Sequence, residues 1–433
     1  MPKEIDIKNV LKDERDLKLY PNIFEFYSKE VLLGEGYSLW PTQLKIALEF
    51  LGEYCPKCTN MEFFNNMYNE KIDTILDNIQ LLEYGICPKC KKNKFYFMKK
   101  GLLGYYTTMA GCAGQRSGKS VLNAVLAIYQ LHRYLKLVDP PRFLSLLPGA
   151  TQLLPGSNLS MIFTGVTLNQ TKDCEWSNFR DMYAQCRWFT EYNTMLKYHG
   201  MKLGSSLYDI NSENIYYKLK NMYCTVKAAT RALRGRTVFF ASIGEYAWMP
   251  WNKVKIASGS LENGTKAIRY NWKQLNTSII KKHFYEYPYH IPTALTVYSS
   301  SPKDAADPLW DLFLNKPSEE TYLYHYPTWK MNSMFTEKKI KEIKEGCERY
   351  FDRDFGAIPP WRGIVSDKLE ILKVRKLELY YYIKHKKYYC CACNRLQEQV
   401  IKEGVDVIRE YPGMICGAIE DMRMKLSEIE SGE

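Results

Sequence analysis

Nowhere in its 433 residues does the chain hold an uninterrupted apolar run of membrane-spanning length, which excludes an ordinary transmembrane helix. Met1–Lys18 is crowded with Lys, Asp, Glu and Arg and lacks the apolar stretch of a secretory signal. There is no low-complexity tract, and no internal repeat beyond one duplicated tetrapeptide. With 46% hydrophobic residues available for an interior, these absences lead us to expect a soluble, intracellular protein. The length exceeds one average domain, so a core of roughly 250 residues with appended pieces is expected.

What is present begins with charge. Sixty basic against 48 acidic side chains give +12, a balance that favours a polyanionic partner through counterion release. Solvated surface charge explains the same numbers, so the balance alone assigns nothing. Thirteen cysteines in an intracellular chain point to metal binding or reduced thiols before disulfides. Cys55-Pro-Lys-Cys58 recurs as Cys87-Pro-Lys-Cys90, and two such knuckles can offer four thiolates to one structural Zn²⁺ with no open position. Cys390, Cys391 and Cys393 have no second close pair, and chance clustering explains them more simply.

Along the chain, helical spacing marks Ile23–Tyr27 and Leu44–Leu51, an N-terminal arm over residues 1–51. Residues 52–97 form the cysteine module, with small helices of its own around Phe63–Tyr68 and Ile75–Leu82. Residues 98–360 then alternate. A β-leaning run at Tyr105–Met109 leads through glycines into a helical Val121–Leu135; further strands are expected at Leu159–Phe163, Ile215–Leu219, Thr237–Ile243 and Ala294–Tyr298, with a helix over Gln170–Cys186. This order predicts an α/β fold, a mainly parallel sheet covered by helices, interrupted by the cysteine module. Residues 361–433 change character and show no clear strand series.

Ala113-Gly-Gln-Arg-Ser-Gly-Lys-Ser120 fits the phosphate-binding loop pattern, with Ala in the first glycine position, between a strand and a helix. In such a loop the backbone of Gly114, Gln115, Ser117 and Gly118 wraps triphosphate oxygens, Lys119 neutralises charge and Ser120 holds Mg²⁺. Hydrolysis also needs a strand ending in carboxylates. Val238–Ile243 is that strand, and it ends in Gly244-Glu245; Glu245 can act as general base, while Gly244 has no side chain with which to order Mg²⁺.

The segment Leu233-Arg-Gly-Arg-Thr237 leading into Phe239–Tyr246 resembles that of the large terminase subunits of tailed bacteriophages, as do Gln115–Ser120, Trp40-Pro-Thr-Gln43 and Thr328-Trp-Lys-Met-Asn332. Ser299-Ser-Ser-Pro302 is similar to that family's coupling motif. The resemblance spans about residues 35–360. It implies a P-loop NTPase fold of the additional-strand, catalytic-glutamate (ASCE) type and an ATP-driven motor that moves double-stranded DNA into a procapsid. It implies adenine contact by Gln43, phosphate sensing by Ser300 and Ser301, and a sensor role for Arg116. Arg234 becomes an arginine finger acting across a subunit boundary, although either arginine also suits a plain ion pair. ATP, Mg²⁺ and Zn²⁺ are the implied cofactors. Portal protein, the small terminase subunit and other copies in a ring on the portal are the implied partners, with no membrane. The place of action would be the host cytoplasm, transiently on the procapsid and not in the mature virion.

Two departures shape the expectation. With Gly244 where Asp is expected, Gly244→Asp should raise hydrolysis unless another carboxylate compensates. After Pro360 the acids Asp406, Glu410 and Glu420 are too sparse for a two-metal nuclease, so this chain is not expected to cut DNA by itself, either because the nuclease is a separate product or because the reading frame is interrupted. Lys253–Lys282 is a candidate DNA-facing stretch. A helicase-like motor shares the loop, the glutamate and the upstream Gln, whereas a scaffold protein with a degenerate site would bind ATP without turnover.

Overall fold

The computed structural model describes residues 7–32, 39–150, 153, 157–275, 291–303, 307–315 and 318–359, with four short strands between residues 369 and 397. Eight strands form the main sheet: β1 (Thr108–Ala113), β2 (Leu159–Thr164), β3 (Tyr208–Ile210), β4 (Asn214–Tyr217), β5 (Met222–Val226), β6 (Thr237–Gly244), β7 (Leu295–Ser300) and β8 (Thr321–Tyr326). Their order is β3-β4-β5-β2-β6-β7-β1-β8. From β5 to β8 every neighbouring pair is parallel, and only β3-β4-β5 is antiparallel. The fold is therefore the expected mainly parallel α/β sheet, and β7 lies between β1 and β6, where the expected fold places an additional strand.

Parallel strands must be covered on both faces, and two separate apolar cores do this. One, beneath α1 (Lys119–Leu135), holds Phe163, Phe239 and Phe240; the other, beneath α2 (Trp251–Lys266) and the short helix Pro308–Leu314, holds Ile162, Val238, Ala241 and Ile243. The β2–β6 register slips between Ser160 and Met161, which skips Phe239 and lets two consecutive phenylalanines enter the same core. α1 is buried almost all round, as a helix apolar on every side must be.

The N-terminal arm and cysteine module join the first core: Phe26, Ile46, Tyr54, Phe64 and Phe97 pack in one cluster with α1. The helix Ile7–Asp16 is pinned by a buried ion pair of Glu14 with Lys220 at 2.7 Å. Pro41 opens and left-handed Gly52 closes the helix Pro41–Leu51, which carries Gln43.

Several expectations shift. β1 starts three residues later than the β-leaning run at Tyr105, and β4 stops at Tyr217, where a 3₁₀ turn takes over. The predicted helix over Gln170–Cys186 is broken by a π-turn at Lys172–Trp176 before Ser177–Gln185. Leu369–Leu372, Leu379–Tyr382, Lys387–Cys390 and Leu396–Gln397 pair as a four-stranded antiparallel sheet, correcting the reading of residues 361–433 as lacking a strand series. Asp406, Glu410, Glu420, Cys391, Cys393 and the end of the Lys253–Lys282 stretch lie outside the described residues.

Candidate active site

In a parallel sheet, the C-terminal strand ends share one edge, and there the order β6-β7-β1 sets three loops side by side. β1 delivers the glycine loop, β7 the serines, and β6 Glu245. Lys119, buried at the start of α1, reaches both neighbours: its Nζ donates to Ser301 Oγ at 3.2 Å and lies 3.8 Å from Glu245 Oε1. Ser300 Oγ donates to Glu245 Oε2 at 3.2 Å. One ammonium, two hydroxyls and one carboxylate thus converge from three strands.

The loop is held in shape from behind. Thr328 Oγ1 donates to the carbonyl of Gln115 at 2.8 Å, and Asn332 Nδ2 to that of Arg116 at 2.9 Å. Gln43 Nε2 donates to the carbonyls of Ser117 at 3.0 Å and Gly118 at 3.2 Å, so its amide grips the loop's own backbone. The loop's own N–H groups are partly engaged as well: Gly114 N–H donates to the carbonyl of Tyr326, Gln115 N–H to that of Asp354 and Ser117 N–H to that of Gly114. Gly118 has φ 77°, and a Cβ there would strike Gln43 and Trp40. A Cβ at Gly114 would strike Thr328 and the carbonyl of Phe355. Arg116 and Glu245 take φ values of 58° and 49° without being glycine, strain of the sort found where a site dictates the backbone.

A phosphate fits this cradle. Ser117 Oγ is fully buried and has no hydrogen-bond partner in the protein, a cost a phosphate oxygen would relieve. Gln115 and Arg116 are exposed, and Ser120, the second residue of α1, lines the cavity beside Lys119. Arg234 stands apart: exposed on the loop entering β6, it is separated from Glu245 by the whole length of that strand.

Sequence reasoning missed Glu175. It lies on the π-turn Lys172–Trp176, a widened turn of the sort common at functional sites, and is only 4% exposed. Asn123 donates to its Oε1 at 3.1 Å and Ser242 to its Oε2 at 2.5 Å, with Ser299 at 3.4 Å from Oε1. Burial pushes its carboxyl up to about 7, against those hydrogen bonds. A Cβ on Gly244 would stand 2.5 Å from Glu175 Oε1, so the bare glycine is what admits this carboxylate.

The four cysteines of the module meet as their spacing predicts. Their Sγ atoms all lie within 4.8 Å of one another, with Cys55 and Cys90 3.8 Å apart. Tetrahedral Zn–S bonds of about 2.3 Å put sulfurs about 3.8 Å apart, so the donor set fits zinc. Backbone turns shape both knuckles: Thr59 N–H donates to the Cys55 carbonyl at 3.0 Å, and Lys91 N–H to that of Cys87 at 2.9 Å. The module also touches the loop's support, since Lys330 lies 5.0 Å from the centre of the Tyr68 ring.

No protein-family model matches the chain, and no curated protein matches it. Among solved structures it is similar to the large terminase ATPase domain of Thermus phage P74-26, at 14% identity over 58% of this chain and 88% of that one, with a TM-score of 0.35. It is likewise similar to the large terminase of the thermophilic bacteriophage D6E in complex with ADP, at 11% identity over 72% of this chain and 70% of that one, with a TM-score of 0.34.

Proposed function

We propose that this chain is an ATP-hydrolysing motor that translocates double-stranded viral DNA into a procapsid. The observation that carries the enzymatic part is the convergence of Lys119, Glu245, Ser300 and Ser301 at the ends of three adjacent parallel strands.

On this reading the loop from Gly114 to Ser120 cradles the β- and γ-phosphates of ATP and Lys119 neutralises their charge. Glu245 takes a proton from the attacking water as its oxygen bonds to the γ-phosphorus; the bond to the β–γ bridging oxygen breaks, and ADP and phosphate leave. Ser120 would hold Mg²⁺, which when bound would neutralise charge on the phosphate oxygens. Ser301 and Ser300 touch Lys119 and Glu245 directly, so loss of the γ-phosphate is felt at the end of β7. Arg116 is the sensor within its own subunit. Arg234, too far along β6 to reach its own site, acts on a neighbouring copy in a ring. Gln43 braces the loop, and contact with adenine would require its amide to exchange partners.

DNA, portal protein, the small terminase subunit and a separate nuclease polypeptide belong to the same proposal, supported by the motif set and the net charge of +12. The chain would act in the host cytoplasm, transiently on the procapsid. A triplex-displacement assay tests it. A packaging motor strips a third strand from duplex DNA with ATP and leaves the duplex paired; strand separation would instead establish the helicase reading, and ATP binding without either would establish the scaffold reading.

A further inference from the structure

We infer that the carboxylate of Glu175 stands in for the acidic side chain missing at Gly244, and that it orders the divalent cation of the bound nucleotide. The inference rests on the ATPase reading above. It concerns how the site is completed from a different segment of the chain.

Three observations carry it. The first is placement. Glu175 Oε1 lies 2.5 Å from the point where a Cβ of residue 244 would begin, so its carboxylate fills the space an aspartate there would need. Gly165, at the end of β2, is equally bare: a Cβ on it would meet Thr171 Oγ1 at 2.6 Å, and the backbone oxygen of Gly244 at 3.1 Å. Two glycines side by side thus admit the segment Thr171–Glu175, and the π-turn turns Glu175 into the gap.

The second is company. Glu175, Ser120, Lys119, Gly244 and Glu245 line one cavity, open to solvent, with about 290 Å³ of empty space. Ser120 is the hydroxyl expected in a magnesium shell and Glu245 the carboxylate expected beside the lytic water, so Glu175 faces the place where the shell lacks an acid.

The third is charge. The donors to Glu175 are Asn123, Ser242 and Ser299, all neutral. With only neutral donors, a buried carboxylate keeps its charge at a cost that a proton or a cation relieves, and the rise of its carboxyl to about 7 reflects that cost. Glu245 adds repulsion. A divalent cation between the two carboxylates removes both costs, and the three donors fix the orientation of Glu175 as supporting hydrogen bonds do for metal ligands. Magnesium held by one or two carboxylates plus phosphate oxygens is the usual arrangement, so a single replacement acid suffices.

The geometry also reverses the effect of restoring the expected aspartate. In Gly244→Asp the new Cβ collides with Glu175 and a third carboxylate crowds Glu175 and Glu245. The single substitution therefore impairs the site, whereas Gly244→Asp combined with Glu175→Ala returns one acid to the same place.

The test uses Mn²⁺ as the probe, its binding read by electron paramagnetic resonance on the full chain with a non-hydrolysable ATP analogue. Binding of the analogue in EDTA and thermal melting serve as controls. Glu175→Gln, nearly the same shape, is expected to weaken Mn²⁺ binding roughly tenfold or more, with metal-free nucleotide affinity and melting little changed. Gly244→Asp should weaken it similarly, and the double variant should recover most of the loss. Wild-type Mn²⁺ affinity in a folded Glu175→Gln overturns the inference and leaves the ATPase reading standing. Failure of the wild-type chain to bind the analogue at all overturns that reading, and the inference with it.

Discussion

At the scale of single residues, the site is built from short reaches between groups that the chain holds far apart. Thr328 and Asn332 take the carbonyls of Gln115 and Arg116 from behind, so the loop's shape depends on two side chains more than two hundred residues away. Neither is expected to touch nucleotide. Thr328→Val or Asn332→Ala should therefore lower ATP affinity about fivefold to tenfold each, one lost hydrogen bond's worth, with hydrolysis at saturation less affected. Isothermal titration beside steady-state kinetics separates the two effects; a large loss in turnover at unchanged affinity would contradict this role. Lys119, Ser120 and Glu245 were legible because their motif is local. Glu175 was not: it sits among ordinary helical residues, and only the folding of β2 beside β6 reveals that the turn after β2 faces Gly244.

At the scale of elements, α1 is the axis of the first core and carries its own pH sensitivity. His132 is fully buried on it, stacked on Phe26 at 4.7 Å and edge-on to Trp188 at 4.7 Å. Burial, with Lys136 nearby, holds its imidazole down at about 3. The unfolded chain takes up that proton near pH 6.5 and the folded one only near 3, so between those values the unfolded state binds more protons. Stability is fully present above about 6.5 and falls as pH drops through the window, by up to about 5 kcal/mol. His132→Phe should flatten this acid limb in urea titrations from pH 7 to 4; an unchanged slope would contradict it.

The arm helix depends on the Glu14–Lys220 pair, which also receives Tyr192 Oη at 2.7 Å on Glu14. Glu14→Ala strands a buried ammonium and should cost about 3–5 kcal/mol, whereas Glu14→Ala with Lys220→Met should recover part of that. Chemical denaturation measures both. Among the strands, β1, β2, β4, β6 and β7 were readable, and β3, β5 and β8 were not; β3 has only three residues, and β8 is an edge strand in which only Tyr324 is buried.

The cysteine module is an element whose loss should reach the site. Tyr54 stacks on Phe64 at 4.6 Å within the shared core, and Tyr68 meets Lys330, whose carbonyl accepts from Thr42 at 2.5 Å. Elemental analysis should find about one zinc per chain. Cys55→Ser with Cys87→Ser should abolish it, lower the melting temperature and weaken nucleotide binding. Retained zinc in the double variant would contradict the four-cysteine site.

At the scale of the whole molecule, one sheet sets the chemistry on a single edge and leaves Arg234 at the far end of β6. On the proposed reading, in which Arg234 serves the site of another copy, hydrolysis is expected to be slow in an isolated chain and faster once copies assemble on DNA. With a net charge of +12, DNA binding should weaken steeply between 50 and 200 mM salt, a loss of about a thousandfold if some six phosphates are engaged. The broad fold class was legible because alternation of strand and helix is a property of the whole sequence. The order β6-β7-β1 was not readable from composition or spacing, since sheet neighbours are chosen by packing on both faces.

The most direct measurement is steady-state phosphate release by the purified chain, with and without duplex DNA, beside Glu245→Gln. We expect DNA-stimulated hydrolysis in the wild type and a loss of at least about a hundredfold in the variant, with ATP binding retained. Hydrolysis that is absent in the wild type, or unchanged in Glu245→Gln, would contradict the assignment of this site as the engine of the molecule.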